Sequence, residues 1–96
     1  MKKYRVMLEG KNFSLSSDEV VQKHGFYTTL YVEANNPEEA ELKAVNMIKT
    51  DKKLTDLVKN DNTDVPMIYL DEIVEIRSFD ENNILEIGYT FFIEND

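Results

Sequence analysis

The chain has no cysteine. Disulfides, thiolate nucleophiles and thiolate metal sites are thereby excluded. Glycine is sparse: Gly10, Gly25 and Gly88 stand far apart. Scattered glycines cannot form the loop that cradles a phosphate. Positive charge is short as well. Eleven Lys and Arg face 19 Asp and Glu, for a formal net charge of -8. Such a field repels phosphate backbones, so direct nucleic-acid binding is not expected. No apolar run reaches the length of a membrane span. Met1-Lys2-Lys3 leads straight into a strand pattern, with no signal-peptide core. The expected location is the cytoplasm, with no membrane partner.

What is there suits one domain over residues 1–96. Hydrophobic residues make up 42% and charged residues 31%, a globular balance rather than a disordered one. A chain of this length buries about 60–70% of the surface it exposes when unfolded.

The most legible stretch runs from Phe26 to Ile48. Phe26 to Ala34 is rich in aromatic and β-branched residues, as a half-buried strand prefers. Strand side chains alternate between faces. Phe26, Thr28, Leu30, Val32 and Ala34 therefore share a core face, and Tyr27, Thr29, Tyr31 and Glu33 share the other. Asn36 then offers an N-cap oxygen, Pro37 suits the first helical position, and Glu38 and Glu39 oppose the helix dipole. Ala40, Ala44, Met47 and Ile48 form one helical stripe. Asp51 would fall inside that stripe if the helix ran on. A buried unpaired carboxylate is costly. The helix is thus expected to break near Thr50, with Thr50 or Asp51 capping a short second helix fixed by Leu54, Leu57 and Val58.

The remaining segments read as strands and turns. Tyr4 to Gly10 is predicted as the first strand, with a turn at Gly10-Lys11-Asn12. Phe13 to His24 reads as a long, partly ordered hairpin connection, with a helical turn at Asp18-Glu19-Val20-Val21 as the alternative. Asn60 to Asp64 is a polar loop. In Met67 to Phe79, Ile68, Leu70, Val74 and Ile76 share a parity that Glu72 interrupts, so a bulge is expected near Asp71-Glu72. Asp80-Glu81-Asn82-Asn83 is the predicted turn of a second hairpin. Leu85 to Glu94 is the last strand, with Leu85, Ile87, Tyr89, Phe91 and Ile93 on one face. The order β-β-α-(α)-β-β defines an α+β two-layer sandwich: a four-stranded, mainly antiparallel sheet with the helices on one face.

Few residues offer chemistry. His24 has Ser14, Ser16 and Ser17 nearby in sequence, at no spacing that defines a catalytic motif. With so many acids, chance carboxylate pairs are certain. Glu72 and Glu75 stand out only because they interrupt an apolar strand. The run from Asn60 lacks the glycine and glutamate that a calcium loop needs at its sixth and twelfth positions, which hold Val65 and Asp71. No catalytic residue, metal ligand or cofactor is assigned.

Tyr4-Arg5-Val6, Gly10-Lys11-Asn12-Phe13, Gly25-Phe26-Tyr27-Thr28-Thr29, Val32-Glu33-Ala34 and Pro66-Met67-Ile68-Tyr69 resemble small bacterial α+β proteins whose function is uncharacterised. That resemblance implies the fold and no activity. The step Glu33-Ala34-Asn35-Asn36-Pro37-Glu38-Glu39-Ala40 is similar to the strand-to-helix step of HicB-type antitoxin domains, which usually place three strands before the helix.

The functional expectation rests on the sheet face away from the helices. That face is normally polar. Here it would carry Met7, Tyr27, Tyr31 and Phe92, an apolar patch of the kind that marks a partner site. The expected function is a non-enzymatic protein-binding module, homodimeric through these four residues. Its acidity suits an inhibitor or immunity-type role against a basic partner. A structural or accessory subunit of a phage or mobile element is one alternative. A small enzyme with a site in the 13–24 loop is the other.

Overall fold

The computed structural model describes residues 1–80 and 87–94. Six elements follow in order: β1 (Lys2–Ser17), β2 (Val20–Ala34), α1 (Pro37–Lys49), α2 (Lys52–Thr55), β3 (Met67–Ile76) and β4 (Tyr89–Ile93). The four strands form one sheet in the order β3-β1-β2-β4, and every neighbouring pair is antiparallel. Both helices pack on it, so the fold is the α+β sandwich that the element order implies.

The strand-to-helix step forms as its chemistry dictates. Asn36 is extended, and its side-chain oxygen accepts from Glu39 N at 2.8 Å. Such a cap contributes about 1 kcal/mol. Ala40, Ala44 and Ile48 are fully buried against Tyr4, Val6, Leu8, Phe26 and Leu30. Small alanines let α1 approach the sheet closely. Met47, expected in the same stripe, lies at its margin and is 38% exposed. The helix ends at Lys49, and Asp51 caps α2 through Lys53 N. The carboxylate that forces this break is half-buried, and it also accepts the Tyr89 hydroxyl at 2.6 Å. Burial first, and then this bond, raise the Tyr89 pKa above that of an ordinary tyrosine.

Three expectations are corrected. Phe13 to His24 is not a loop: β1 and β2 run as one long hairpin through it. Asp18 and Glu19 turn the chain, both at positive φ (50° and 68°), where a helical turn was the alternative. The expected turn at Gly10-Lys11-Asn12 is instead a bulge inside β1. Gly10 pairs with Phe26 and Phe13 with His24, so Lys11 and Asn12 together oppose Gly25. Asn12 takes the left-handed conformation at φ 64°, which Asn tolerates better than most residues. The extra residue reverses the alternation, so Gly10 and Phe13 both reach the core face.

The second hairpin is not formed either. β3 pairs with β1 and β4 with β2, so the last two strands stand on opposite edges. The expected turn beyond Asp80, together with Leu85 and Glu86, lies outside the described residues. Asp71 is the bulge residue of β3: Met7 pairs with Glu72, but Leu8 pairs with Leu70. This bulge also reverses the alternation. Ile73, rather than Val74, faces the core and packs against it.

Candidate functional site

The face of the sheet opposite the helices is built by strand register. Tyr69, Glu9, Tyr27 and Thr90 line up across all four strands. Glu72, Met7 and Thr29 form the next row, then Val74, Arg5 and Tyr31, then Ile76, Lys3 and Glu33. Phe92 joins the first row from β4. Its ring lies 5.4 Å from that of Tyr27 and covers Gly25.

The four residues expected to form an interface are all on this face, and they divide. Tyr27 and Phe92 form an exposed aromatic pair, 48% and 37% accessible. Met7 is half-buried between strands, opposite Thr29 and Glu72. Tyr31 is drawn into another contact. Phe79, just beyond β3, meets its ring edge-on at 6.3 Å, and Lys3 Nζ stands 5.8 Å from the Phe79 ring. Phe79, a residue after β3, thus covers this end of the face. Tyr69, which the sequence reading left out, completes the exposed strip at 46% accessibility, with Lys11 Nζ 5.7 Å from its ring. Its place was readable, because it alternates with Ile68 and Leu70.

Charges thread the aromatic strip. Glu9 accepts the Tyr27 hydroxyl, which raises that hydroxyl's pKa. Arg5 and Glu72 pair at 3.5 Å on this face, while Lys2 and Glu75, which share the helix side with Ala34 and Tyr4 by register, pair at 3.9 Å. Exposed pairs of this kind contribute at most about 1 kcal/mol. They do engage the two carboxylates that seemed to interrupt β3 without reason.

The other candidate residues serve structure. His24 Nδ1 lies 2.9 Å from Gln22 O, and its ring meets Phe91 edge-on at 6.4 Å. Ser14 is buried, with its N–H donating to Asn60 Oδ1 and its carbonyl accepting Lys59 N. Among the described residues no group of three or more His, Asp or Glu could hold a metal ion. An apolar cleft of about 490 Å³ opens between α1, α2 and the start of β3, lined by Phe13, Val45, Leu54, Val58, Pro66 and Met67 among others. Lys49 is its one charged lining residue.

The polar loop from Asn60 to Asp64 locks the β1 bulge. Asn60 Nδ2 donates to Asn12 O and Asp64 O, and Asn12 Nδ2 donates to Asp64 Oδ1. Lys23 donates to Asn12 Oδ1 and forms an ion pair with Asp64. The Asn12 amide, and then Lys23, hold the Asp64 carboxyl below the ordinary aspartate pKa. A depressed pKa contributes stability that is present above the unfolded value, about 4, and is lost as pH falls through the lower folded value. Asp64→Asn should therefore melt below the wild type at neutral pH. The gap should narrow once pH drops beneath about 4. Thermal melts at both pH values check this, and an unchanged gap would mean that the carboxylate's charge contributes nothing.

No helix among the described residues is long and apolar enough to cross a membrane. No family model, curated protein or solved structure matches the chain. The class that can be stated is that of the fold: a two-layer α+β domain with an exposed aromatic strip on its helix-free face.

Proposed function

We propose that this chain is a non-enzymatic protein-binding module, cytoplasmic, that works through the helix-free face of its sheet. One observation carries the reading. Tyr27 and Phe92 lie exposed on the neighbouring strands β2 and β4, and Tyr69 lies exposed on β3 across Glu9 of β1, on a face where an antiparallel sheet is usually polar. Aromatic side chains of this sort supply most of the energy at protein interfaces. They sit on hydrogen-bonded strands, so little order is lost when a partner binds. The net charge of -8 suits a basic partner, drawn in over distance and held by the aromatic strip. An inhibitor or immunity-type role fits those two properties.

Close packing of this whole face on a second copy is less favourable. It would bury Arg5, Glu9, Glu33 and Glu72 in both copies, and desolvating such charges is costly. A partner that covers only the aromatic end avoids this.

The test is capture from an extract of the source cell by the immobilised chain. A basic protein should be retained at low salt and released as salt rises. Tyr27→Ser combined with Tyr69→Ser should lose it while melting within a few degrees of the wild type. Retention of the same protein by that variant would remove the aromatic strip from the account.

A further inference from the structure

We infer that the free edge of β4 is where a second copy of this chain joins, antiparallel and strand to strand, about a two-fold axis through Phe91. β4 ends the sheet: β2 takes one side, and no described residue pairs with the other. The register tells which backbone groups face outward. Glu94 N donates to Lys23 O at 3.0 Å, one residue beyond the His24–Ile93 pair. In an antiparallel ladder, hydrogen-bonded pairs alternate with pairs whose groups point away. Phe92 and Thr90 therefore share the inward direction of Glu94. The N–H and C=O groups of Tyr89, Phe91 and Ile93 point to the open edge.

Those groups complement a copy of themselves. With Phe91 opposite Phe91 of the partner copy, Tyr89 falls opposite Ile93. Each copy offers three donors and three acceptors, and every one is matched. A shift of two residues leaves groups unmatched on both copies. Side chains agree with this register. Phe91 is 41% and Ile93 55% exposed, and they would meet Phe91 and Tyr89 of the partner copy on one face. Phe92 would meet Thr90 on the other. Aromatic and β-branched cross-strand pairs are the favourable ones.

Charge selects the same edge. A chain of net charge -8 repels its copies over most of its surface. Tyr89-Thr90-Phe91-Phe92-Ile93 carries no charge and no proline, the usual guards of an edge strand. β3, the other edge, carries Asp71, Glu72 and Glu75 and is bulged at Asp71. The acid nearest β4, Glu94, accepts Asn12 N at 3.0 Å within its own chain. In the paired register it would stand opposite Gly88, which has no side chain to oppose it. Joining the edges would also bring two Tyr27–Phe92 pairs side by side, in one wider surface for a partner protein.

Sedimentation velocity and hydrogen exchange on the full chain test this. Salt separates it from the partner reading above. The dimer should strengthen as salt screens repulsion between two acidic copies, whereas capture of a basic protein should weaken. Ile93→Pro removes one outward donor from each copy and no bond to β2, and should weaken the dimer by about 30-fold. Ile93→Val should leave it intact. Tyr27→Ser should also leave it intact, whatever it does to partner capture. If Ile93→Pro does not fold, exchange on the wild type decides instead. The amides of Tyr89, Phe91 and Ile93 should be protected at high concentration and exposed on dilution, while those of Thr90 and Phe92 stay protected throughout. A wild type that is monomeric at high concentration and high salt would overturn the inference. So would a folded Ile93→Pro variant that remains a dimer, or outer amides that exchange freely at every concentration.

Discussion

Phe26→Ala should lose about 3–5 kcal/mol of folding stability, the range for emptying a large aromatic site in a packed core. Phe26 is fully buried. Its ring meets Phe13 at 4.9 Å, Tyr89 at 5.2 Å and Phe91 at 5.9 Å, so it joins the distal half of β1 to the edge strand β4. Domains of this kind have about 5–15 kcal/mol in total. The melting temperature should fall by roughly 12–40 °C. The next residue supplies the control. Tyr27 points to the opposite face, and Tyr27→Ala should cost under about 1 kcal/mol, as most surface substitutions do. Denaturant melts of the pair would decide. Equal losses would mean that the two faces are not divided as described.

Gly10→Ala and Gly25→Ala should differ, although each puts a methyl group into an aromatic ring. A Cβ at Gly10 would lie 2.2, 2.4 and 2.6 Å from three atoms of the Phe26 ring. That ring is enclosed on all sides and has nowhere to go. The expected cost is about 1–3 kcal/mol or more, as for other overpacked cores. A Cβ at Gly25 would overlap the ring of Phe92 and lie 3.0 Å from the backbone oxygen of Gly10. Phe92 is on the surface and can swing into solvent. The Gly10 carbonyl must give only a few tenths of an ångström, so Gly25→Ala should cost about 1 kcal/mol, less than Gly10→Ala. Neither glycine has a positive φ, so the comparison reads steric fit alone. If Gly25→Ala proved the more damaging, the Gly10 carbonyl would have to be unable to yield, or Phe92 would have to be held more firmly than its exposure implies.

The fold was legible where local chemistry was sufficient. Asn36, Pro37 and the alanine stripe announced α1, and Asp51 announced the break after it. Bulges were the obstacle elsewhere. At Asn12, one extra residue moves the core positions of β1 from even to odd numbers. A reading by strict alternation then sees the strand stop at Gly10 and a loop begin at Phe13. The hairpin turn hid for a related reason: Asp18-Glu19 takes positive φ without a glycine to advertise it. At Asp71 the bulge itself was anticipated, but not that it would bring Ile73 inward in place of Val74. Sheet order was harder still. Nothing in the residues of β3 or β4 says that they stand on opposite edges, because that is settled by which edge of the first hairpin each one fits. The candidate face was legible to the extent that alternation held. Tyr27 and Phe92 project from it together. Tyr31 does as well, but Phe79, far along the chain, is drawn over it.

The central hairpin also governs how the chain can fold. Its strands pair neighbours in sequence, from the Asp18-Glu19 turn outward, so each new contact closes only a small additional loop. The edges are different. Lys11 pairs with Met67, and Gly25 with Phe92. Each of those contacts closes a long stretch of chain, and the entropy of closure must be met before the contact returns anything. Neither edge has a template until the hairpin exists. The two edges then add to opposite sides of it without needing one another. Such a mixed α+β chain belongs, in folding rate, between the fast helical bundles and the slow all-β domains. A two-stranded hairpin alone is at best marginally stable in water, so this one depends on the edges and the helix that its own formation makes room for.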